Sequence, residues 1–349
     1  MAPGATPDDP RILVCGWAGA GNVGDELLTR QAIALIAGAG GTPVVASRDP
    51  ERTRTEHEVE SVSWGVGARR AAASVDGVIV GPGGILQDRS SLWNLPGHLG
   101  AALAARRRSR PVAAIGVGAE PLRRRSSAVL LRRALGDAEV VTRDPASTDA
   151  LGDVGVRATT GVDLALAAAF SAPPNDEIAV ALGPGVRPGL LLPASRRLAP
   201  PPIESIADAL DSLAAATGRS LALTSYRGPR DLSFAADLAE RLRASVRIVP
   251  ADVDASVAAV AGASMLVSSR YHATVVALRA GVPVAMLSGE AKLRSLAAAA
   301  PARVELLDHW SDLGAAAWPE RGPVHTDEGV DIAAAAVVRV VERARASRA

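Results

Sequence analysis

Residues 18–28 read AGAGNVGDELL, and within them Gly19, Gly21 and Gly24 make a G-x-G-x-x-G, the spacing of a dinucleotide-binding turn. Residues 11–16, RILVCG, precede it as a short apolar run that suits a buried strand. After it, Leu27, Leu28, Ile33, Leu35 and Ile36 recur at helical spacing. Strand, glycine turn and helix are the setting such a fingerprint requires. Glycines let the backbone approach a ligand, and the first helical amides attract an anion. Two features oppose that reading. Asp25 and Glu26 follow the last glycine directly; they suit the positive end of a helix dipole but repel a pyrophosphate. The acid that holds a ribose should end the next strand. That strand is 43–46, and Asp49 beyond it stands between Arg48 and Pro50, as in an ordinary loop. The stretch therefore reads as a tight turn entering an acid-capped helix, with a dinucleotide-dependent oxidoreductase as the lesser reading.

The chain has 349 residues, a length suited to two domains. Hydrophobic residues make up 48% and aromatics only 3%, so the core must be Ala, Val, Leu and Ile. Lys and Arg number 38 against 37 acids, so no nucleic-acid partner is expected. The runs 106–108 and 123–125, each three arginines, read as solvated helix faces. Cys15 is the only cysteine, which excludes an intrachain disulfide and a cysteine metal cluster. Its place in an apolar run suggests a small buried residue. MAPGATPDDP at the start has neither a basic run nor an apolar stretch, so no secretory leader is expected. No apolar run approaches about 18 residues. The expectation is a cytoplasmic protein with no transmembrane segment.

Apolar runs of strand length alternate with helical stretches. Strands are expected at 11–16, 43–46, 60–64, 77–81, 111–116 and 139–142, then at 178–182, 221–224, 246–249, 265–268 and 282–287. Helices are expected at 27–37, 99–107, 126–135 and 146–151, then at 203–215, 231–243, 253–261 and 272–280. Such alternation gives parallel sheets with helices on both faces. Pro173 and Pro174 with polar neighbours suit a linker. The expected domains are 11–172 and 177–300, followed by an extension, 301–349, that ends in an amphipathic helix. Ligands in doubly wound sheets bind beyond the carboxyl ends of the strands.

Four polar or glycine-rich clusters follow expected strands. The first is 19–26. The second, 81–88, reads GPGGILQD; it is either a backbone cradle in which Gln87 and Asp88 meet hydroxyls, or a tight crossover turn capped by Asp88. The third, 268–273, reads SSRYHA. Arg270 offers a fork for carboxylate or phosphate, and His272 could move a proton near neutral pH; otherwise they are a surface arginine and a helix cap. The fourth, 288–292, holds Lys292, either a second cation or a solvated one. Arg143, Asp144, Asp163 and Arg187 also follow strands or adjoin the domain joint.

Together these pieces resemble the polysaccharide pyruvyl transferase family. Its opening G-x-x-G-x-G-N-x-G-D-E is matched by residues 16–26, its G-G-G-x-L-x-Q-D segment resembles 81–88, and its R-D-x-x-S resembles Arg143, Asp144 and Ser147. Asp163-Leu164-Ala165 matches its D-x-A segment, and Arg270-Tyr271-His272-Ala273 its R-L-H-A segment. Asn22, Asp25 and Glu26 thereby fit a pattern that a dehydrogenase does not share. Pro82 replaces a usual glycine and Tyr271 a usual leucine. Ser288-Gly289-Glu290 stand where the family often has an aromatic and an acid before its lysine.

The resemblance implies an α/β fold of two facing Rossmann-like, doubly wound domains, GT-B-like, with the acceptor on the N-terminal domain and phosphoenolpyruvate on the C-terminal one. It implies transfer of pyruvate from phosphoenolpyruvate to two sugar hydroxyls as a cyclic ketal. Arg270 and Lys292 would bind the donor, with Arg187 and Ser269 beside them. His272 would be the general acid/base. Asn22, Gly83, Gly84, Gln87 and Asp88 would meet the acceptor, with Asp25 or Glu26 as base. Phosphoenolpyruvate is a co-substrate; no other cofactor and no metal are implied. The acceptor is a saccharide, free or lipid-linked. If it is lipid-linked, the arginine runs would be the peripheral membrane contact, of which the sequence gives no sign. The rival readings are a nucleotide-sugar-dependent GT-B-type glycosyltransferase on the same fold, the oxidoreductase, and a non-catalytic glycan-binding relative.

Overall fold

The computed structural model describes residues 8–89, 91–184, 202–287, 291–300, 303–307, 310–315, 318, 322 and 327–348. The chain divides into two compact units. One holds Met1–Gly21, Asp25–Ala168 and Thr326–Ala349; the other holds Ala169–His325 together with Asn22–Gly24.

The first unit carries strands β1 (Arg11–Ala18), β2 (Thr42–Ser47), β3 (Glu60–Ser63), β4 (Gly77–Val80), β5 (Gly83–Leu86), β6 (Val112–Ala119), β7 (Glu139–Thr142) and β8 (Thr159–Thr160). They run in the order β3-β2-β1-β4-β6-β7-β8, with β5 against β6. Between them lie helices α1 (Val23–Gly38), α2 (Pro50–His57), α3 (Val66–Ala71), α4 (Asn94–Arg106), α5 (Arg125–Leu135) and α6 (Pro145–Gly152). The second unit carries β9 (Ile178–Ala181), β10 (Leu221–Leu223), β11 (Val246–Ile248), β12 (Met265–Ser268), β13 (Val284–Leu287) and β14 (Val304–Leu307) in the order β11-β10-β9-β12-β13-β14. Its helices are α7 (Ile203–Thr217), α8 (Pro229–Ala239), α9 (Val253–Gly262), α10 (Tyr271–Ala280) and α11 (Ala291–Ala299). Every pairing in both sheets is parallel.

Parallel strands covered on both faces need unbroken apolar runs, which β1 and β9 supply: Ile12 to Cys15 and Ile178 to Ala181 are all buried. Desolvation pushes the Cys15 thiol up to about 12, so this cysteine packs as a small apolar residue. Each sheet reverses its strand order once, between β1 and β4 and between β9 and β12. At such a reversal the loops leave in opposite directions and open a crevice beyond the carboxyl ends of the strands.

The structure departs from the sequence expectation in several places. Residues 83–86 of the expected turn form β5, paired with β6. Helix α1 starts at Val23, so Asp25 and Glu26 lie in its first turn. The short helices α2 and α3 carry no apolar periodicity to read. Strand β14 extends the second sheet, so residues beyond 300 complete that unit. The terminal helix α12 (Asp327–Ala346) belongs to the first unit. It buries Ala333, Ala336, Val337, Val340, Val341 and Ala344, a single helical stripe. Its Arg345 donates to the Gly40 carbonyl at 2.9 Å.

Two of the five tryptophans meet a histidine at one end of the first sheet. Trp17, Trp64 and His98 pack ring against ring, with centroids 4.9 to 5.8 Å apart. Arg48 lies 4.0 Å from the Trp17 ring centre and 4.6 Å from that of Trp64. Trp64 Nε1 donates to His98 Nδ1 at 3.4 Å. Burial, opposed by the Cys15 backbone and aided by the charge of Arg48, pushes His98 down to about 3. An unfolded histidine titrates near 6.5, so between about pH 6.5 and 3 only the unfolded chain takes this proton. The stability His98 confers is whole above that window and falls as pH falls, by about 1.4 kcal/mol per pH unit. Urea unfolding at pH 7 and pH 5 should therefore show a larger loss for the wild type than for His98→Phe, by about 2 kcal/mol. Equal losses would mean that His98 titrates normally in the folded chain.

Candidate active site

In the first unit the crevice between β1 and β4 is closed at its base by backbone. The Gly81 amide donates to the Cys15 carbonyl at 3.1 Å, and a Cβ on Gly16 would lie 3.1 Å from the Gly81 oxygen. Gly19 has φ +70°, and a Cβ there would fall 2.1 Å from Ser47 Oγ, so only glycine lets the loop seat on the end of β2. The Gly19 amide donates to Glu26 Oε1 at 2.8 Å. Glu26 Oε2 meets His57 Nε2 at 3.1 Å, and both side chains are 2% exposed. The anion that this glycine loop holds is thus the chain's own carboxylate. The same carboxylate occupies the loop amide on which a dinucleotide reading relies. Glu26, Glu56 and His57 bring ligand-type atoms within 4.8 Å of one another, but Arg52 Nε already holds Glu56 at 2.6 Å.

The second glycine segment meets this loop. A Cβ on Gly83 would lie 3.7 Å from Asp25 Oδ1, and one on Gly84 3.5 Å from the Arg143 guanidinium. The Arg143 side chain is 10% exposed, with Asp144 at 3.3 Å and Asp163 at 3.6 Å. Asp25, Gly83, Gly84 and Arg143 therefore lie together beyond the carboxyl ends of β1, β4 and β7. Gln87 adjoins them and accepts the Arg89 amide through Oε1 at 2.9 Å. Asp88 does other work. Its carboxylate accepts the amides of Arg123 and Arg124 at 2.9 and 3.0 Å. Burial raises its pKa, but these amides, the Ser127 hydroxyl and Arg124 outweigh burial and leave it lowered. Asp88 ties two loops together and does not cap α4.

In the second unit, the Ser269 amide donates across the reversal to the Ala181 carbonyl at 3.0 Å. Arg270 follows as the residue before α10. Its Nε donates to Asp231 Oδ2 at 2.8 Å, and its Nη2 to Oδ1. Asp231, on α8, is fully buried and also accepts the Arg227 amide at 3.0 Å. A Cβ on Gly183 would lie 1.6 Å from Arg270 Nη2, so the guanidinium occupies the space beside the backbone just past β9. His272 stands in the first turn of α10, its ring 5.2 Å from that of Tyr271 at 87°. Asn22–Gly24 group with this unit. The Val23 amide donates to the Tyr226 carbonyl at 3.1 Å, and a Cβ on Gly24 would fall 1.9 Å from His272 Nδ1. The last glycine of the opening motif is thus the seat of the His272 imidazole.

The structure brings together Asp25, Gly83 and Gly84 in one unit, and Ser269, Arg270, His272 and the Asn22 loop in the other. Glu26 and Asp88 hold backbone amides. Lys292 lies on α11, its side chain outside the described residues, as is the whole of Arg187. Asp231 was not legible beforehand: it sits inside a helix, 39 residues from its partner, and no local pattern marks it.

The polysaccharide pyruvyl transferase family model matches residues 22–290. The chain belongs to that family. No curated protein matches it. Solved structures similar to this family member include the UDP-GlcNAc 2-epimerase of Methanocaldococcus jannaschii, at 11% identity and TM-score 0.58, over 92% of this chain and 98% of that one. The UDP-GlcNAc 2-epimerase of Neisseria meningitidis, bound to UDP-GlcNAc, matches at 12% identity and TM-score 0.56, over 95% and 99%. The glycosyltransferase SnogD of Streptomyces nogalater matches at 18% identity and TM-score 0.54, over 97% and 98%. These likenesses show the fold, a two-domain α/β Rossmann-like architecture shared with GT-B glycosyltransferases. Among the described residues no helix is long and apolar enough to cross a membrane.

The two neighbouring acids should separate in a denaturation experiment. Glu26→Ala strands the half-buried Gly19 amide and the His57 imidazole, and should cost about 1–3 kcal/mol in urea unfolding. Asp25→Asn leaves both of those contacts in place and should cost less than Glu26→Ala. Equal losses would contradict the division of labour between them.

Proposed function

We propose that the protein transfers the pyruvyl group of phosphoenolpyruvate to two hydroxyls of a saccharide, forming a cyclic ketal and releasing inorganic phosphate. The observation that carries this reading is the seating of Arg270 and His272 at the β9/β12 reversal of a chain in the pyruvyl transferase family. The donor carries a carboxylate and a phosphate. Two N–H groups of Arg270 are taken by Asp231, and the rest of the fork stays available to an oxyanion. The first-turn amides of α10 add partial positive charge. Lys292 and Arg187 are the further cations of this reading.

In the chemistry, His272 gives a proton to C3 of the enol while C2 takes the first hydroxyl oxygen, whose proton passes to a base. Asp25 is that base here, since Glu26 is buried on its own loop. The C2–O bond to phosphate then breaks. The second hydroxyl adds to C2, and its proton leaves with phosphate. One methyl, two new C–O bonds and one phosphate balance the step. Asn22, Gly83, Gly84 and Gln87 are the acceptor contacts of this reading, and the acceptor is a saccharide, free or lipid-linked.

The second reading is nucleotide-sugar-dependent glycosyl transfer, favoured by the likeness to SnogD and to an epimerase structure bound to UDP-GlcNAc. Calorimetry separates them. Phosphoenolpyruvate should bind the wild type, and Arg270→Lys, which keeps the charge but loses the fork, should weaken it at least about tenfold. Binding of a nucleotide sugar with no response to phosphoenolpyruvate would overturn the proposal. With an acceptor in hand, Asp25→Asn and His272→Gln should each lower kcat by about 100-fold or more.

A further inference from the structure

Among the described residues, the three most exposed large apolar side chains are Trp93 at 75%, Val66 at 68% and Leu92 at 65%; no other exceeds 41%. They fall in one place. Strands β3, β5 and β6 run the same way, so the helices that follow them, α3, α4 and α5, all start at the carboxyl edge of the first sheet. Helix α4 packs between the other two. Val66 opens α3, and Leu92 and Trp93 lead into α4. Trp64 fixes the α3 side, for its ring fills the space where a Cβ on Gly97 would stand. Asp88 fixes the other side by binding the amides of Arg123 and Arg124 at the start of α5.

This apolar rim has basic flanks. Arg69 and Arg70 sit one turn behind Val66, and Arg123 and Arg125 stand at the start of α5, where the Arg123 amide binds Asp88, at the head of the segment that carries Leu92 and Trp93. All four are exposed, and none forms an ion pair among the described residues. The nearby acids Asp88 and Glu120 are already matched by Arg124 and Arg89. In a chain with a net charge of +1, this is a local concentration of positive charge around protruding apolar side chains. The N-termini of α4 and α5 add to it. Tryptophan and leucine ringed by arginine is the composition that partitions into a lipid headgroup region.

We propose that this rim of the first unit docks the protein on an anionic membrane surface, with Trp93, Leu92 and Val66 entering the interface and the arginines meeting headgroup phosphates. It lies next to Gln87 and the second glycine segment, which suits a lipid-linked acceptor. Its test reads binding alone and so stands apart from the pyruvyl-transfer reading. The full chain is floated with vesicles of phosphatidylcholine alone and of phosphatidylcholine mixed with phosphatidylglycerol. It should rise with the mixed vesicles only, and less as salt increases. Trp93→Ser and Leu92→Ser should each weaken binding at least about tenfold, and Arg123→Gln and Arg125→Gln about fivefold each, with thermal melts unchanged. No flotation with mixed vesicles, or equal flotation of all variants, would overturn the proposal. So would a dimer in vesicle-free sedimentation that Trp93→Ser dissociates, since a second copy would then cover the rim.

Discussion

Each sheet of this protein is parallel throughout and reverses its strand order once, and the rest of the site follows from that constraint. At a reversal, two neighbouring strands send their chains to opposite faces. The backbone beyond them is left with amides, carbonyls and little side-chain volume. In the first unit the loop past β1 and the segment past β4 share that ground. In the second, the chain past β9 and the segment past β12 do. Glycines appear where two backbones, or a backbone and a functional side chain, would otherwise collide. Gly19 meets Ser47, Gly24 meets His272 and Gly183 meets Arg270.

Buried carboxylates then set the directions of the groups around them. Asp231 takes two donors of Arg270, so the guanidinium has one orientation, held from α8. Glu26 does the same for the opening loop through the Gly19 amide, and Asp88 for the turn before α5. A carboxylate out of water is costly unless it is hydrogen-bonded, and each of these is bonded to amides or cations in its own unit. The buried acids therefore organise loops, whereas Asp25 is partly exposed beside Gly83.

Much of this was legible in the residues, and for a physical reason. Buried parallel strands have to be apolar runs and their connections have to be helices, so the alternation along the chain declares both sheets. The motifs that follow strand ends declare the loops. Two kinds of feature were hidden. Short amphiphilic pieces such as α2, with a single buried residue, Thr53, carry no period to detect. Long-range partners such as Asp231 and Arg270, or Gly24 and His272, depend on the fold and leave no local mark. Residues 83–86 read as a turn because glycine and proline usually punctuate, yet here the glycines open a strand, with Gly83 at φ +113°, a backbone that favours glycine. The arginine run 123–125 read as solvated, and only the fold ties it to Asp88, at the head of the segment that carries Leu92 and Trp93.

The claim on which the functional account rests is that the imidazole over Gly24, beside the Arg270–Asp231 pair, sits at the donor site. The chain has five histidines, few enough for side-chain nitrogen resonances to be resolved, and His272→Gln identifies one of them. On adding phosphoenolpyruvate, the resonance missing from His272→Gln should move, and those of the buried His57 and His98 should stay. If phosphoenolpyruvate leaves it unmoved while a nucleotide sugar shifts it, the donor assigned to this site is wrong.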